Sequence, residues 1–345
     1  MASLGMISPR DAGTQAQMDA LLRAEGIRRD KNLDYSCGVF DEDGALIAAG
    51  SSFKNTLRCL AVSSEHRGEG LMNQVVSHLL EKQMERGNSH VFLYTKVKND
   101  RIFRDLGFYE IARVDGELVF MENRRDGFSR YLKKLEKTRR EGTCAAIVMN
   151  ANPFTLGHRH LIERAAAEND VLHLFLLSED AGPIPFAVRK QLVREGVADL
   201  ENVILHDSGP YMISSATFPS YFLRDEDAAI LAHAKLDLAV FGTVAAALGI
   251  TARYAGEEKS SHVTALYNET MAAELPKQGV AFRQIPRLAL GGETVSASSV
   301  RQAIHDGKLA EAAFMLPASS LRYFESAEAA PVIAAIRAMD EARHY

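Results

Sequence analysis

The residues best suited to phosphate chemistry lie in Asn152-Pro153-Phe154-Thr155-Leu156-Gly157-His158-Arg159-His160. The run follows a short apolar segment, Cys144 to Val148, that reads as a buried strand, and precedes Leu161 to Ala167, which reads as a helix. Asn152, Pro153 and Thr155 are turn and cap residues, so the order is strand, tight turn, helix. Gly157 removes a side chain where the helix begins, and His158 falls in its first turn. A helix N-terminus carries free amide donors and partial positive charge, so it suits an anion. A histidine there can bind a phosphate oxygen or steady charge that builds on a pentacovalent phosphorus. A second such start lies in Thr294-Val295-Ser296-Ala297-Ser298-Ser299-Val300-Arg301. Its Ser296, Ser298 and Ser299 add hydroxyls to the free amides, and Arg301, one turn inside, can neutralise a leaving pyrophosphate. Alone, each run would also suit an ordinary capped helix.

Alternating elements predict how these runs are held. Val171 to Leu177 and Val203 to Leu205 read as further strands, with an amphipathic helix from Phe186 to Gly196 between them. Leu236 to Thr243 reads as a fourth strand, and Arg253 to Glu258 as a fifth with an acidic end at Glu257. Strand-helix alternation predicts right-handed crossovers and a doubly wound parallel sheet, with ligands at the carboxyl ends of the strands. Arg189 and Lys190 fall near a helix entrance, a place that suits either contact with phosphate or a carboxylate substrate or a solvated surface. Tyr211 to Leu223 is dense in hydroxyl and aromatic groups and suits a loop over a small polar ligand or aromatic packing in a core equally well. His262, Thr264, Tyr267 and Asn268 lie on a predicted helix bordering the same region. From Leu309 onward the chain is alanine-rich and helical in pattern, with breaks near Pro317 and Pro331 and no evident chemistry.

The first part reads differently. A helix over Gln15 to Ala24 precedes strands at Tyr35 to Phe40, Ala45 to Gly50 and Leu57 to Val62. The last runs into Glu65-His66-Arg67-Gly68-Glu69-Gly70 and a helix from Met72 to about Arg86. Gly68 and Gly70 in such a loop either shape a tight turn or offer backbone donors to a pyrophosphate. A strand at His90 to Thr95 and a short helix ending at Gly107 follow. A charge-rich stretch with sparse helical periodicity then links the two parts. Its Lys133, Lys134, Lys137, Arg139 and Arg140 suit a solvated face or an acidic partner. The expected division is 1–127, a linking helix over 128–142, and 143–345.

At 345 residues the chain suits two domains, and 47% hydrophobic with 25% charged residues suits a soluble globular protein. The formal charge of −5 opposes nonspecific nucleic-acid binding through a large basic face. Cys37, Cys59 and Cys144 are odd in number and lie in apolar stretches, which predicts buried thiols rather than disulfides, and their spacing offers no metal site. With no N-terminal signal pattern and no 18-residue apolar run seen in the sequence, the expectation is a cytoplasmic protein without membrane contact.

Thr155-Leu156-Gly157-His158 resembles the (His/Thr)-x-Gly-His signature of the nucleotidyltransferase superfamily, whose members attack the α-phosphate of a nucleoside triphosphate. The longer run from Asn152 to Glu163 resembles the citrate lyase ligase family more closely, as does the Tyr211 to Leu223 segment. Val295 to Arg301 resembles the superfamily's Ile-Ser-x-(Ser/Thr)-x-(Val/Ile)-(Arg/Lys) motif and stands in the expected order. The first 130 or so residues resemble the GNAT acetyltransferase fold, in which a Gln/Arg-x-x-Gly-x-Gly/Ala loop holds the coenzyme A pyrophosphate. Here Glu65 stands at the loop's first position, and a carboxylate is unfavourable beside a pyrophosphate.

The resemblance implies a GNAT-like α/β domain followed by a Rossmann-like, doubly wound nucleotidyltransferase domain. It implies an AMP-forming acid–thiol ligase that uses ATP, with its magnesium, and acetate. The acceptor would be the phosphoribosyl-dephospho-coenzyme A thiol on the acyl-carrier subunit of citrate lyase. His158, Thr155 and Arg301 would be catalytic. Asn152, Phe154, Gly157, Arg189, Glu257, Ser296, Ser298 and Ser299 would bind the nucleotide, and Gly68 and Gly70 the coenzyme A-like arm. The rivals are an adenylyltransferase acting on a phosphomonoester, of nicotinamide-mononucleotide or phosphopantetheine type, a binding module that kept the nucleotide site, and a GNAT acetyltransferase with an attached nucleotide sensor.

Overall fold

A computed structural model of the chain describes residues 2–180, 182–212, 226–258 and 261–339. It divides into two compact units, Met1–Tyr131 with Phe218–Ala239, and Leu132–Thr217 with Val240–Tyr345. The elements run β1 (Ser3–Met6), α1 (Ala12–Ala24), β2 (Tyr35–Phe40), β3 (Leu46–Phe53), β4 (Thr56–Val62), α2 (Leu71–Glu85), β5 (Phe92–Lys96), α3 (Asp100–Asp105), β6 (Tyr109–Val114), β7 (Leu118–Glu122) and α4 (Gly127–Glu136). They continue as β8 (Cys144–Met149), α5 (Leu156–Ala167), β9 (Val171–Leu176), α6 (Phe186–Gly196), β10 (Val203–Asp207), α7 (Glu226–Leu248), β11 (Ile250–Gly256) and α8 (His262–Glu274). The chain then forms β12 (Ala281–Ile285), β13 (Ala289–Leu290), β14 (Glu293–Thr294), α9 (Ala297–His305), α10 (Leu309–Ala312), α11 (Ala318–Glu325) and α12 (Ala330–Arg337).

The first unit is a seven-stranded sheet in the order β1-β2-β3-β4-β5-β7-β6. Val75, Val76 and Leu79 of α2 pack on Val39, Leu57, Leu93 and Val119 of the sheet. A Cβ at Gly50 would lie 2.4 Å from Val75 Cγ1, so the missing side chain sets how closely α2 approaches β3. β4 bulges at Cys59, whose φ is +51°, and the β3 register shifts opposite it. β4 and β5 are registered in parallel at Thr56–Phe92 and Leu57–Leu93 and then part. The parting opens a cavity of about 660 Å³ between Leu60–Val62 and Tyr94–Lys96, bordered by Gly68, Gly70 and Ile102.

The second unit is a five-stranded parallel sheet, β10-β9-β8-β11-β12. Numbered by their place in this unit the strands run 3-2-1-4-5, so the order reverses between β8 and β11. A crevice at the carboxyl ends of such a reversal is where doubly wound sheets bind ligands. β8 ends at Met149, directly before the phosphate-type run, and β11 ends at Gly256, directly before Glu257. One face of the sheet buries Ile147, Leu172, Leu174 and Leu176 against Ile162 and Ala165 of α5 and Leu192 and Val193 of α6. On β9 and β10, His173 and His206 meet in the interior, Nδ1 to Nε2 at 2.9 Å, and His206 stacks on Phe175. Val300 and Ile304 of α9 pack with Met315, Phe324 and Ile336 in a separate core made largely by the C-terminal helices.

The expected fourth strand, Leu236 to Thr243, lies inside α7 instead. An apolar run of eight residues has the composition of a buried strand or of a buried helix, and periodicity alone cannot separate them. Here apolar and small residues extend on both sides of the run, so the helix is apolar almost all round and buries Leu236, Leu238, Val240, Phe241 and Val244. By length and composition Asp227–Leu248 is apolar enough to cross a membrane, but 61% of its most apolar window is buried in protein. The sequence reading also missed β1, β6, β7 and the edge strand β12. Most of the hydroxyl-rich segment from Tyr211 to Leu223 lies outside the described residues.

Candidate active site

Thr155 caps α5, and the cap is reciprocal. Its hydroxyl accepts the His158 N–H at 3.4 Å, while its own N–H donates to His158 Nδ1 at 3.1 Å. Thr155 Oγ1 also lies 2.9 Å from that nitrogen. Because Nδ1 accepts a backbone N–H, the neutral ring carries its proton on Nε2 and presents a donor there. Burial, then the Arg287 and Arg301 guanidinium groups, push the His158 pKa down to about 4. At neutral pH the ring is therefore a fixed, uncharged hydrogen-bond donor and not a proton reservoir.

Gly157 has a packing reason. A Cβ there would lie 3.1 Å from the Val295 carbonyl oxygen and 3.5 Å from Thr155 Oγ1. A side chain there would be a tight contact, and glycine lets the start of α5 approach the segment that enters α9 without displacing it. Two helix N-termini therefore adjoin. Ser296 caps α9, accepting the Ser299 N–H at 3.0 Å, with its hydroxyl 2.8 Å from that of Ser299. Arg301 is 4% exposed. Its Nη1 donates to the Asn152 carbonyl at 2.5 Å and its Nη2 to Ser298 Oγ at 3.3 Å. It thus ties α9 to the turn before α5 while adding positive charge near His158.

Asn152 completes the set. It is 2% exposed, yet among the described residues neither its amide nitrogen nor its amide oxygen has a hydrogen-bond partner. A buried amide left without partners costs roughly 1–3 kcal/mol, so natural proteins rarely keep one without a use. It stands beside Arg301, between a strand end and a helix start, where a polar ligand would satisfy it.

Two expected nucleotide contacts have other work. Arg189 is fully buried, and its guanidinium donates to four backbone carbonyls: Ile184 at 3.1 Å, Asn150 at 2.8 Å, Leu177 at 2.9 Å and Glu179 at 2.6 Å. The carbonyls beyond β8 and β9 need donors, and Arg189 supplies them, shaping the loops rather than meeting phosphate. Phe154 is likewise fully buried. Its ring stacks on His158 with centroids 6.0 Å apart, and Gly196 leaves the room it fills. Ser320 of α11 donates to the Phe154 carbonyl at 2.7 Å, so the C-terminal helices brace the turn. Phe154 holds the histidine ring and does not face a nucleotide. Lys190 pairs with Asp207 at 2.7 Å.

At the other side of the strand reversal, the Glu257 N–H donates to the Ile285 carbonyl at 2.9 Å, and its carbonyl accepts Arg287 Nε at 2.8 Å. Arg287 also donates to the Glu258 carboxylate, which accepts the Ser261 N–H at 3.1 Å. Asn268 of α8 donates to the Gly256 carbonyl at 3.0 Å. Arg287 is not singled out by the sequence reading. A basic residue two positions beyond the last parallel strand is the signal that marks Arg287.

Gly68 and Gly70 belong to the first unit, with φ of +90° and +74° and open space where a Cβ would stand. Both border the 660 Å³ cavity. Glu65 is exposed. The carboxylate that organises this loop is Glu25, which accepts the Ser64 N–H at 2.9 Å and Arg67 at 2.6 Å. Cys37, Cys59 and Cys144 are all buried and unbridged, as composition predicts. Burial pushes the Cys37 and Cys59 thiols up to about 12 and raises that of Cys144.

Comparison with known proteins gives two family matches. Residues 144–324 match the family model of the citrate lyase ligase C-terminal domain, and residues 8–110 match that of the acetyltransferase (GNAT) family. The citrate (pro-3S)-lyase ligase of Escherichia coli strain K12 is 38% identical over 307 residues, covering 86% of this chain and 87% of that protein. That of Haemophilus influenzae is 33% identical over 315 residues, covering 89% and 94%. That of Klebsiella pneumoniae is 34% identical over 320 residues, covering 91% and 93%. With a GNAT-family match over residues 8–110, a citrate lyase ligase C-terminal domain match over 144–324, and relatives spanning most of its length, the chain belongs to the citrate lyase ligase family.

Proposed function

We propose that the second unit activates acetate with ATP and passes the acetyl group to a thiol on the acyl-carrier subunit of citrate lyase. Asn152 carries this reading: a buried amide with both polar atoms unpartnered, at the meeting of two helix N-termini and beside Arg301. The arrangement suits a ligand that brings acceptors for the helix amides and His158 Nε2–H, as a triphosphate does.

In the first half-reaction an acetate oxygen attacks the α-phosphorus. The new P–O bond forms as the bond to the bridging oxygen of the β-phosphate breaks, and pyrophosphate leaves with its magnesium. His158 donates to a phosphate oxygen, while Arg301 and the Ser296, Ser298 and Ser299 cap region oppose the charge that develops. In the second, the thiolate of the phosphoribosyl-dephospho-coenzyme A arm attacks the acetyl carbonyl. A C–S bond forms, the C–O bond to the phosphate breaks, and AMP departs. No protein thiolate is required, and the three cysteine thiols, buried with raised pKa, do not offer one. Catalysis is then mainly positioning and electrostatics. In the first unit, the Gly68–Gly70 loop and its cavity hold the pyrophosphate and pantetheine of the same arm.

The test is ATP–pyrophosphate exchange with a panel of small carboxylates and no carrier protein. Acetate-dependent exchange that disappears in His158→Ala is the expected result. Exchange with no acid, together with a dinucleotide-like product from a phosphomonoester, would overturn the reading in favour of an adenylyltransferase.

A further inference from the structure

Some of the chain's surface cations pair with carboxylates. Arg67 pairs with Glu25, Lys82 with Glu85, Arg86 with Asp34, Arg113 with Glu110, Arg159 with Asp199 and Lys277 with Glu274. Others stand without such a partner among the described residues, and the end of α4 with the turn after it gathers five of these within eight positions. Lys133, Lys134, Lys137, Arg139 and Arg140 are all exposed, and among the described residues none is within ion-pair distance of a carboxylate. Glu136 is the one acidic residue between Lys133 and Arg140, so these eight positions carry five positive and one negative charge, or +4. The whole chain carries −5. The remaining 337 residues therefore carry −9, the difference between −5 and +4.

The helix itself accounts for part of this. Lys133 and Lys134 stand in the last turn of α4, where cations favour the negative end of the helix dipole. Lys137, Arg139 and Arg140 lie beyond the helix and gain little from it. Leu135, 4% exposed, anchors the stretch to the protein, so the cations stand on an ordered surface and not on a loose tail. Like charges held this close repel one another, and an acidic surface docked on them would relieve the repulsion. The excess negative charge elsewhere repels a long polyanion such as nucleic acid but leaves a compact acidic protein face free to reach one local patch.

We infer that Lys133, Lys134, Lys137, Arg139 and Arg140 form the docking surface for an acidic face of the carrier subunit that delivers the thiol. This identity of the partner rests on the function proposed above. Docking by exposed charge acts mainly on encounter, so it shows in the KM for carrier and in salt dependence rather than in adenylate formation.

The test compares the full-length wild type, the charge reversal K133E/K134E/K137E and the conservative K133R/K134R/K137R. Binding of fluorescently labelled carrier subunit is followed by anisotropy from low to high salt, beside the KM for carrier and acetate-dependent exchange without carrier. For the reversal, affinity and KM are expected to worsen on the order of tenfold at low salt and to lose most of their salt dependence. Exchange is expected to stay unchanged, which also shows that the variant is folded, and the arginine variant is expected to behave as wild type. Unchanged carrier binding in the reversal would overturn the inference, as would salt-sensitive binding of an unrelated DNA duplex in preference to the carrier. Loss of exchange in the wild type would instead count against acetate activation, while the anisotropy would still decide the docking surface.

Discussion

The starts of α2 and α5 both follow a strand and a turn with a glycine in the turn or just inside the helix, yet they are built in opposite ways. α2 is entered through Gly70 in a left-handed conformation, with no side-chain cap. Its loop offers backbone amides, and the space where Gly68 and Gly70 would bear side chains is open. α5 is entered through a reciprocal Thr155–His158 cap, and its Gly157 faces the Val295 carbonyl at close range. Around it lie a neutral histidine, a buried arginine and an amide without partners. The difference separates two uses of a helix N-terminus. A loop of open backbone can hold a phosphate and tolerate variety in what is attached to it, whereas buried side chains fixed by one another select a geometry, as a reacting centre requires.

The contrast breaks most sharply at His158. His158→Ala removes the Nε2–H donor and is expected to lower acetate-dependent exchange by about 10²- to 10³-fold. A loss below threefold would put the chemistry elsewhere. Asn152→Ala comes next and separates binding from folding. It removes an amide that has no partner among the described residues. Thermal unfolding without ligand is expected to match or exceed wild type, while the stabilisation that ATP gives the wild type is largely lost. A large drop in stability without ligand would mean that the amide serves the fold.

Paired glycine substitutions sharpen the comparison. Gly157→Val must displace the Val295 segment and is expected to cost about 1–3 kcal/mol of stability along with most of the exchange activity. Gly68→Val meets no neighbour but strains a residue at φ +90°, also about 1–3 kcal/mol. It should spare exchange and raise the KM for carrier. Equal loss of exchange in both variants would erase the distinction between the loops.

The smallest effect expected is in pH dependence. Burial pushes His158, His173 and His206 each down to about 4. The unfolded chain takes up protons below its ordinary histidine value of about 6.5, while these folded groups resist until about 4. Stability is therefore full above pH 6.5 and is lost as pH falls from there toward 4. Unfolding midpoints over this range should show a shallower decline in His206→Leu than in wild type. The acid limb of exchange should fall below pH 5, because His158 stays neutral above it. A limb centred at 6.5 would show an ordinary, solvated histidine.

Much of the second unit's site was legible because its parts are local. Thr155, Gly157 and His158 form one cap, and Ser296 to Arg301 form another, so short runs of sequence carry them whole. What could not be read is what distant segments add. Arg287 reaches the site through the strand order, and Ser320 through the fold of the C-terminal helices. Arg189 looked like a phosphate ligand because its charge is visible in sequence, while the four carbonyls that claim it are not. Phe154 faces inward for a reason set by Gly196, 42 positions away in the chain. The run from Leu236 to Thr243 failed as a strand because its composition fits two buried structures, and only the tertiary fold chooses between them.

The brace from Ser320 to the Phe154 carbonyl bears on how the protein is made. Synthesis runs from the N-terminus, so the turn that carries His158 leaves the ribosome 166 residues before the serine that holds it. Arg301, which clamps the Asn152 carbonyl, emerges nearly as late. A nascent chain can complete its first unit, and even most of its parallel sheet, without a finished reaction centre. On the function proposed above, activity would begin only on chains translated through α11, and a chain stalled short of that point is expected to be inert.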